Sequence, residues 1–418
     1  MTGLDRDWRS LPIEALGMLA RGKSRHRPRN DPRLYGGPYP FVQTGDVTHA
    51  EFRLSNYTQT YSELGLAQSK IWPAGTLCIT IAANIAETAI LAMDACFPDS
   101  VVGFIPDDDK ADVAFVKYSI DLFKYKYKAI SRGTTQDNLS VDKLNSIEIM
   151  VPGITAQRRI AEILSAYDDL IEVNQRRIAV LEEMARRLFD EWFVRFRYPG
   201  HETVPLVETE LGNVPEGWRP IRADQLITFD PKTKVPKEGE KLFVPMSALD
   251  TASSVISGWE KRSGNSGAKF VKGDTLMARI TPCLENGKTG LVNFLPKGEA
   301  GFGSTEFTVM RGLRVPPSFV YLLARSEAFR ATAIKSMGGA DGRQRVRTEA
   351  LEGFELACPS ADLLDKFAQS TEPFFANIRI LADKNIRLRA ARDLLLPKLI
   401  SGEIDVGRAE ETLAEAAE

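Results

Sequence analysis

Histidine and cysteine, which supply many zinc ligands and catalytic groups, are both scarce in this sequence. The 418 residues include only 3 histidines and 4 cysteines. The cysteines are Cys78, Cys96, Cys283 and Cys358, too far apart to form a Cys-x-x-Cys pair. We therefore predict no metal site, and we expect reduced cysteines, as in a cytoplasmic protein.

Long hydrophobic runs are also missing. The most apolar stretch, residues 76–93, is interrupted by Asn84 and Glu87, whereas a membrane-spanning helix needs about 20 apolar residues. The residues that follow Met1 are mainly polar and do not resemble the apolar core of a signal peptide. The expected location is the cytoplasm, without contact to a membrane.

The chain has no large excess of charge. It contains 54 Lys and Arg against 56 Asp and Glu, a formal net charge of −2, which at first argues against binding to nucleic acid. The charge is unevenly distributed, however. Residues 215–360 carry 21 basic and 16 acidic side chains, a net charge of +5, and residues 21–29 contain five positive charges. The near-neutral sum therefore does not exclude local binding of a polyanion.

Recognisable catalytic motifs are missing as well. The sequence has no Gly-x-Ser-x-Gly elbow, no His-Glu-x-x-His helix, no dinucleotide fingerprint and no Asn/Asp-Pro-Pro-aromatic motif of adenine methyltransferases. Gly287-Lys288-Thr289 does not complete a phosphate loop, because Pro282 stands where glycine is required. We predict a binding protein with no catalytic residue; a self-contained methyltransferase or nuclease is the alternative.

What the sequence does contain is an internal repeat of about 207 residues. Trp8-Arg9 matches Trp218-Arg219, and Ile147-Glu148-Ile149 followed by Pro152 matches Phe354-Glu355-Leu356 followed by Pro359. Short strand-like runs precede a long helical pattern in both halves. The repeat predicts an α+β protein with two α/β domains in a pseudo-twofold arrangement.

Each half ends in a heptad pattern of apolar residues. The predicted seam residues are Ile160, Leu164, Tyr167, Ile171, Ile178, Leu181 and Leu188 in the first half and Phe367, Phe374, Ile378, Leu381, Leu388 and Leu395 in the second. Matching heptads predict a pair of long helices that form an antiparallel coiled coil, with Asn174 and Asn385 as polar interruptions that fix its register. Ordinary core packing is the alternative.

These patterns divide the chain into six segments. They are a first domain (1–154), a first spacer helix (155–197), a linker (198–214), a second domain (215–360), a second spacer helix (361–401) and an acidic tail (402–418). The linker contains proline and glycine, which break regular structure.

A basic loop is the first candidate for contact with DNA. Its charged members are Arg21, Lys23, Arg25, Arg27 and Arg29. Glycine and proline within it, and the lack of an apolar face, indicate a loop and not a helix. Clustered basic side chains bind phosphates by releasing counterions; a solvated loop without a ligand is the alternative.

Two further polar segments are candidates in the second domain, each with a counterpart in the first. The predicted DNA contacts are Arg279, Thr281, Asn286 and Lys288 in one loop, Arg343, Gln344 and Arg345 after a glycine-rich stretch, and Asn84 and Gln136 in the first domain. Arginine pairs with guanine and glutamine with adenine, so this composition suits contact with base edges. Tight turns without a ligand are the alternative.

The sequence resembles the specificity subunits of type I restriction–modification systems over essentially its whole length. The resemblance rests on Gly212-x-x-Pro215-x-Gly217-Trp218, the segment 281–288, Gly342-Arg343-Gln344-Arg345-Val346, Leu188-Phe189-x-x-Trp192-Phe193, and the segment 396–404. The first domain departs from the second at Ala82-Ala83-Asn84, where the second has Pro282-Cys283-Leu284.

The resemblance implies two target-recognition domains, each reading one half of a split double-stranded DNA site, on helices that set the spacing. It implies a non-catalytic subunit that assembles with two methyltransferase subunits and with restriction subunits. S-adenosylmethionine, ATP and Mg²⁺ are expected on those partners, and no cofactor is expected on this chain. A coiled-coil scaffold without DNA contact is the remaining alternative.

Overall fold

The computed structural model describes residues 8–82, 86–130, 141–339 and 344–404, with side chains at 125–130 excepted. The chain divides into two compact units. Unit 1 comprises Met1–Glu172 and Ile386–Glu418, and unit 2 comprises Val173–Asn385. Among the described residues, no helix has both the length and the apolar character needed to cross a bilayer.

The first half of the chain contains short strands followed by a long helix. The strands are β1 (Arg9–Pro12), β2 (Gly17–Arg21), β3 (Tyr35–Phe41), β4 (Arg53–Leu54), β5 (Gln59–Tyr61), β6 (Ile71–Trp72), β7 (Leu77–Thr80), β8 (Thr88–Leu91), β9 (Ala95–Cys96), β10 (Val101–Pro106) and β11 (Glu148–Val151). The helices are α1 (Thr44–His49), α2 (Glu63–Ala67), α3 (Val113–Ile130), α4 (Val141–Asn145) and α5 (Ile154–Phe189).

The second half repeats this order after a small hairpin. The strands are β12 (Leu206–Thr209) and β13 (Gly212–Pro215), which form the hairpin, then β14 (Arg219–Arg222), β15 (Ile227–Phe229), β16 (Lys241–Val244), β17 (Glu260–Arg262), β18 (Ala268–Val271), β19 (Thr275–Ala278), β20 (Thr289–Leu291), β21 (Ala300–Gly303), β22 (Phe307–Gly312) and β23 (Glu355–Cys358). The helices are α6 (Pro317–Arg325), α7 (Glu327–Lys335), α8 (Thr348–Glu352) and α9 (Ala361–Ile400).

The two units share their sheet topology, except that unit 1 has an additional strand, β4, at the edge of its first sheet. Unit 1 has sheets of order β2-β10-β7-β8-β4, β5-β3-β9-β6 and β1-β11, and unit 2 has β15-β22-β19-β20, β17-β16-β21-β18 and β14-β23. Each unit also places one parallel pair, β3 with β9 or β16 with β21, within its second sheet. The prediction of a duplicated mixed α and β fold is confirmed.

The long helices α5 and α9 contribute to the cores of both units. In unit 1, Leu164 of α5 belongs to the same buried cluster as Leu395 and Leu399 of α9. In unit 2, Asn174 hydrogen-bonds Asn385, while Phe189 packs against Phe367. Residue numbers rise along α5 as they fall along α9, so the two helices pair antiparallel.

The heptad positions lie on the packed faces of these helices. Buried positions are Ile160, Leu164, Tyr167, Ile171, Ile178, Phe367, Ile378 and Leu395. Partly buried positions that pack against the cores are Leu181, Leu188, Phe374, Leu381 and Leu388. Helix α5 ends at Phe189 and continues as a single π-helical turn, Asp190–Val194, before the hairpin.

Candidate nucleic-acid interface

In each unit, the end of one strand is bonded to the turn before its neighbour. In unit 2 the Arg279 amide donates to the Glu306 carbonyl at 2.9 Å, and in unit 1 the Ile81 amide donates to the Ser100 carbonyl at 3.1 Å. We call this place the strand-end edge: residues 80–81 and 97–100 in unit 1, and residues 278–279 and 304–306 in unit 2. Because the same backbone bond recurs, the two edges are structurally equivalent.

The strand-end edge of unit 2 brings two of the predicted segments together. The Thr281 amide donates to the Gln344 carbonyl at 3.1 Å, and the Val346 amide donates to the Arg279 carbonyl at 2.9 Å. Arg345 forms antiparallel bridges with Ile280 on this side and with Gly338 on the other. Residues 344–346 are therefore extended, and Arg279, Thr281, Gln344 and Arg345 lie side by side.

Glu306 lies at the centre of this group and binds one of the arginines. Arg345 donates from Nε to Glu306 Oε2 at 2.8 Å and from Nη2 to Oε1 at 2.6 Å. These bonds lower the pKa of Glu306, helped by the positive charges of Arg345 and Arg279, and they raise the pKa of Arg345. The arginine side chain remains 48% exposed and the glutamate 22% exposed, so the pair lies at the surface.

In the loop that follows β19, some polar side-chain groups have hydrogen-bond partners and others do not. Arg279 Nε and Thr281 Oγ1 are buried and have no hydrogen-bond partner within the described part of the chain. Asn286 is exposed. Lys288 directs its ammonium group inward and donates to the Met246 carbonyl at 3.1 Å. Asn286 is therefore accessible to a ligand, whereas the Arg279 and Thr281 atoms are enclosed and the Lys288 ammonium already supports the loop.

The basic loop of unit 1 is anchored at the equivalent edge. The Gly22 amide donates to the Val101 carbonyl at 2.9 Å, and the Lys23 amide donates to the Phe97 carbonyl at 3.0 Å. A Cβ atom at Gly22 would lie 2.3 Å from the Phe97 oxygen, so only glycine permits this approach. The loop is therefore fixed beside the turn before β10.

The charged groups of this loop differ in how they are held. Arg29 donates from Nη2 to both Asp99 oxygens at 2.9 Å. Arg27 folds back and donates from Nη1 to the carbonyls of Ser24 and His26. Arg21, Arg25, Arg27 and Arg29 are all exposed, and Lys23 is half-buried. Of these, Arg21 and Arg25 can reach a ligand without breaking an ion pair or a side-chain hydrogen bond of the described residues.

Three predicted contacts cannot be placed. Asn84, Gln136 and Arg343 lie outside the described residues. Within the described residues, no three His, Cys, Asp or Glu side chains come together in a group that could hold a metal ion.

Known proteins resemble this chain in sequence. A model of the type I restriction modification DNA specificity domain matches residues 6–183. The MjaIX specificity subunit of Methanocaldococcus jannaschii is 25% identical, over 96% of this chain and 95% of its own length. The HindI specificity subunit of Haemophilus influenzae is 23% identical, over 95% of this chain and 100% of its own. Residues 6–183 therefore match the DNA specificity domain of this family, and nearly the whole chain is similar to specificity subunits of type I restriction enzymes.

A solved structure supports the shared fold. The type I restriction–modification S subunit of M. genitalium superposes with a TM-score of 0.53 and 14% identity, covering 96% of this chain and 97% of that one. This likeness extends over both units, so the duplicated fold of this chain is that of the M. genitalium protein.

One basic segment of this chain was not predicted from the sequence. Lys232, Lys234 and Lys237 are exposed in the loop after β15, which is the topological counterpart of the loop after β2 that contains residues 21–29. Aligning the halves strand by strand, with the loop after Gly17–Arg21 set against the loop after Ile227–Phe229, would have revealed it.

Glu306 was also missed, for a different reason. A glutamate that precedes a strand gives no signal in the sequence, and its role depends on an arginine 39 residues later. No periodicity or spacing rule relates those two positions.

Proposed function

We propose that this chain is the DNA specificity subunit of a type I restriction–modification complex, and that each unit contacts one half of a bipartite DNA site. The supporting observation is the duplicated strand-end edge, which occurs once per unit with basic residues beside it in both. One repeated fold with two equivalent edges suits a DNA site with two halves.

The side chains at the two edges have the chemistry needed for contact with DNA. The exposed basic residues suit contact with phosphates, which supply affinity but little sequence information. They are Arg21 and Arg25 in unit 1 and Lys232, Lys234 and Lys237 in unit 2. Arg279, Thr281, Asn286, Gln344 and Arg345 combine donors and acceptors of the kind that distinguish base pairs in the major groove. Arg343, Asn84 and Gln136 remain candidates from the sequence alone.

Assembly with other subunits completes the proposal. Members of this family are components of a larger complex, and the partners proposed here are two methyltransferase subunits and restriction subunits. S-adenosylmethionine, ATP and Mg²⁺ would be bound by those partners. Because the net charge of this chain is only −2, we expect it to bind DNA weakly alone, with the partners adding much of the electrostatic attraction.

The proposal is tested by reconstituting the chain with its methyltransferase partner and selecting DNA from a randomised library at fixed salt. The expected product is one enriched sequence with two conserved halves and an unconserved spacer of constant length. Enrichment of no sequence at all would contradict sequence-specific binding and favour a scaffold.

Methyl transfer by the purified chain alone is the matching control. A specificity subunit without catalytic residues should transfer no methyl group from S-adenosylmethionine to any DNA until the partner is added. Turnover by the isolated chain would instead identify a self-contained methyltransferase.

A further inference from the structure

The Glu306–Arg345 pair leaves one edge of the arginine unused. Glu306 occupies Nε and one N–H of Nη2, the side-on arrangement. The two N–H groups that remain on the far edge, one on Nη1 and one on Nη2, point in parallel. Nη1 makes no hydrogen bond within the described part of the chain. A planar guanidinium held in this way presents a rigid pair of donors.

A rigid pair of parallel donors matches one base edge in particular. In the major groove, guanine offers two adjacent acceptors, O6 and N7, whereas adenine offers one acceptor beside a donor. A carboxylate or phosphate would also fit the fork, but Arg345 already has a carboxylate partner on its other side. Fixing the arginine before DNA arrives also reduces the conformational entropy lost on binding.

We propose that Arg345 reads a guanine in the half-site contacted by unit 2, and that Glu306 is the positioning residue that orients it. This inference rests on the proposed function, and it adds the identity of one base and the role of a residue with no sequence signal. Arg279, whose charge acts on Glu306, lies on the same edge and offsets the repulsion between that carboxylate and the DNA backbone.

The pair Arg222–Asp224 provides a matched control in the same unit. Arg222 donates from Nε and Nη2 to Asp224, and the two side chains are 51% and 36% exposed. It lies on β14 at Arg219–Arg222, outside the strand-end edge, and Glu352 and Glu355 add further negative charge around it. The geometry is similar, but this acidic surrounding disfavours DNA.

The experiment compares four reconstituted complexes with the unaltered one: Glu306→Gln, Arg345→Lys, the double variant, and Asp224→Asn. DNA selection gives the enriched site, and binding to that site, to versions with its guanines replaced singly, and to unrelated DNA gives the preference at each position. Thermal unfolding of every variant verifies that it is folded.

Arg345→Lys should reduce the preference for guanine at one position by about tenfold or more, because lysine keeps the charge but loses the paired donors. Glu306→Gln should reduce the same preference while binding to unrelated DNA stays equal or becomes tighter, because a negative charge is removed. In the Arg345→Lys background, Glu306→Gln should change the base preference no further. Asp224→Asn should alter neither measurement.

Two results would overturn the inference. One is an unchanged guanine preference in Glu306→Gln, and the other is a site in which no guanine depends on Arg345. Both leave an enriched bipartite site in place, so they differ from failure of the proposed function, in which selection enriches nothing.

Discussion

The two units hold their parts of the helix pair by different chemistry. In unit 1, buried Asp168 of α5 accepts hydrogen bonds from Tyr118 of α3 and from Arg392 of α9. In unit 2, α5 and α9 meet in an aromatic cluster that includes Phe189 and Phe367. One unit therefore uses a buried ionic network where the other uses apolar packing.

The internal repeat shows which residues of unit 2 occupy the positions of this ion pair. A shift of 207 residues places Phe375 at the position of Asp168 and Ala185 at the position of Arg392, and both of those residues are buried in unit 2. A buried ion pair is no more stabilising than well-packed apolar side chains of similar volume. The apolar heptad pattern therefore determines the helix pairing, whereas the chemistry at a single position can differ between the two units.

The largest effect is expected from breaking the ionic network of unit 1. Arg392→Ala leaves the Asp168 carboxylate buried without its cation, which should reduce the free energy of unfolding of unit 1 by about 3–5 kcal/mol. Urea unfolding followed by hydrogen exchange of peptides from each unit measures the loss. A reduction below about 1 kcal/mol would show that the pair is not structurally important.

Placing the residues of unit 2 at the same two positions of unit 1 tests whether apolar packing can replace the ion pair. The double variant Asp168→Phe with Arg392→Ala should recover part of the stability that Arg392→Ala loses, because neither charge of the pair remains buried, although the Tyr118 hydroxyl loses its acceptor. Lys110→Ala, which removes the exposed pair with Asp107, serves as the control and should change stability little. A double variant as unstable as the single one would mean that unit 1 requires the ionic network.

A smaller effect is expected at the polar pair of unit 2. Asn174 Nδ2 donates to Asn385 Oδ1 at 2.8 Å, and both side chains are buried. Asn385→Leu should cost about 1–3 kcal/mol because Asn174 loses its partner. Replacing both residues with leucine should cost less than the single change, or stabilise the unit, at the expense of a defined register. Urea unfolding measures both variants, and equal costs for both would contradict this account.

The basic loops should affect the salt dependence of DNA binding more than its sequence preference. Replacing Lys232, Lys234 and Lys237 with alanine should lower the slope of log affinity against log salt by up to about 0.9 for each phosphate that is no longer neutralised. The measurement is a salt titration of the reconstituted complex on its selected site. Alanine at Arg219 and Arg222, outside the edge, is the control and should leave the slope unchanged.

The smallest effect concerns pH. Because the pKa of Glu306 is lowered in the folded protein, its pair with Arg345 stabilises unit 2 above the ordinary glutamate pKa of about 4.3. That contribution is lost as the pH falls through the lowered pKa. The stability difference between the unaltered chain and Glu306→Gln should be constant from pH 7 to about pH 5 and should shrink below about pH 4. A difference that grows on acidification would contradict the assignment.

The sequence predicted the duplicated fold and the helix pair because both leave regular patterns. Heptad spacing identifies the packed face of a helix from Ile160 to Leu188, and the offset of 207 relates Glu148 to Glu355 at the strands that precede α5 and α9. The contacts at the strand-end edge leave no such pattern. Glu306 and Arg345 meet only because residues 344–346 fold back onto Arg279, which is a tertiary contact.

The missed lysines could have been found from the repeat itself. The offset of 207 sets residues 21–29 against residues 228–236, which include Lys232 and Lys234. Lys237 follows in the same loop, between β15 and β16. Comparing the charges of the two halves at this offset is therefore enough to indicate the second basic loop.

We propose that each unit reads its own half of a DNA site. The most direct test is DNA selection with both halves randomised, using the reconstituted complex with Arg345→Lys in one experiment and the pair Arg21→Ala with Arg25→Ala in another. We predict that Arg345→Lys changes the preferred bases in one half only, while the arginine pair weakens binding without changing the other half's sequence. A change of the preferred bases in both halves after the single substitution in unit 2 would contradict the proposal that each unit reads its own half.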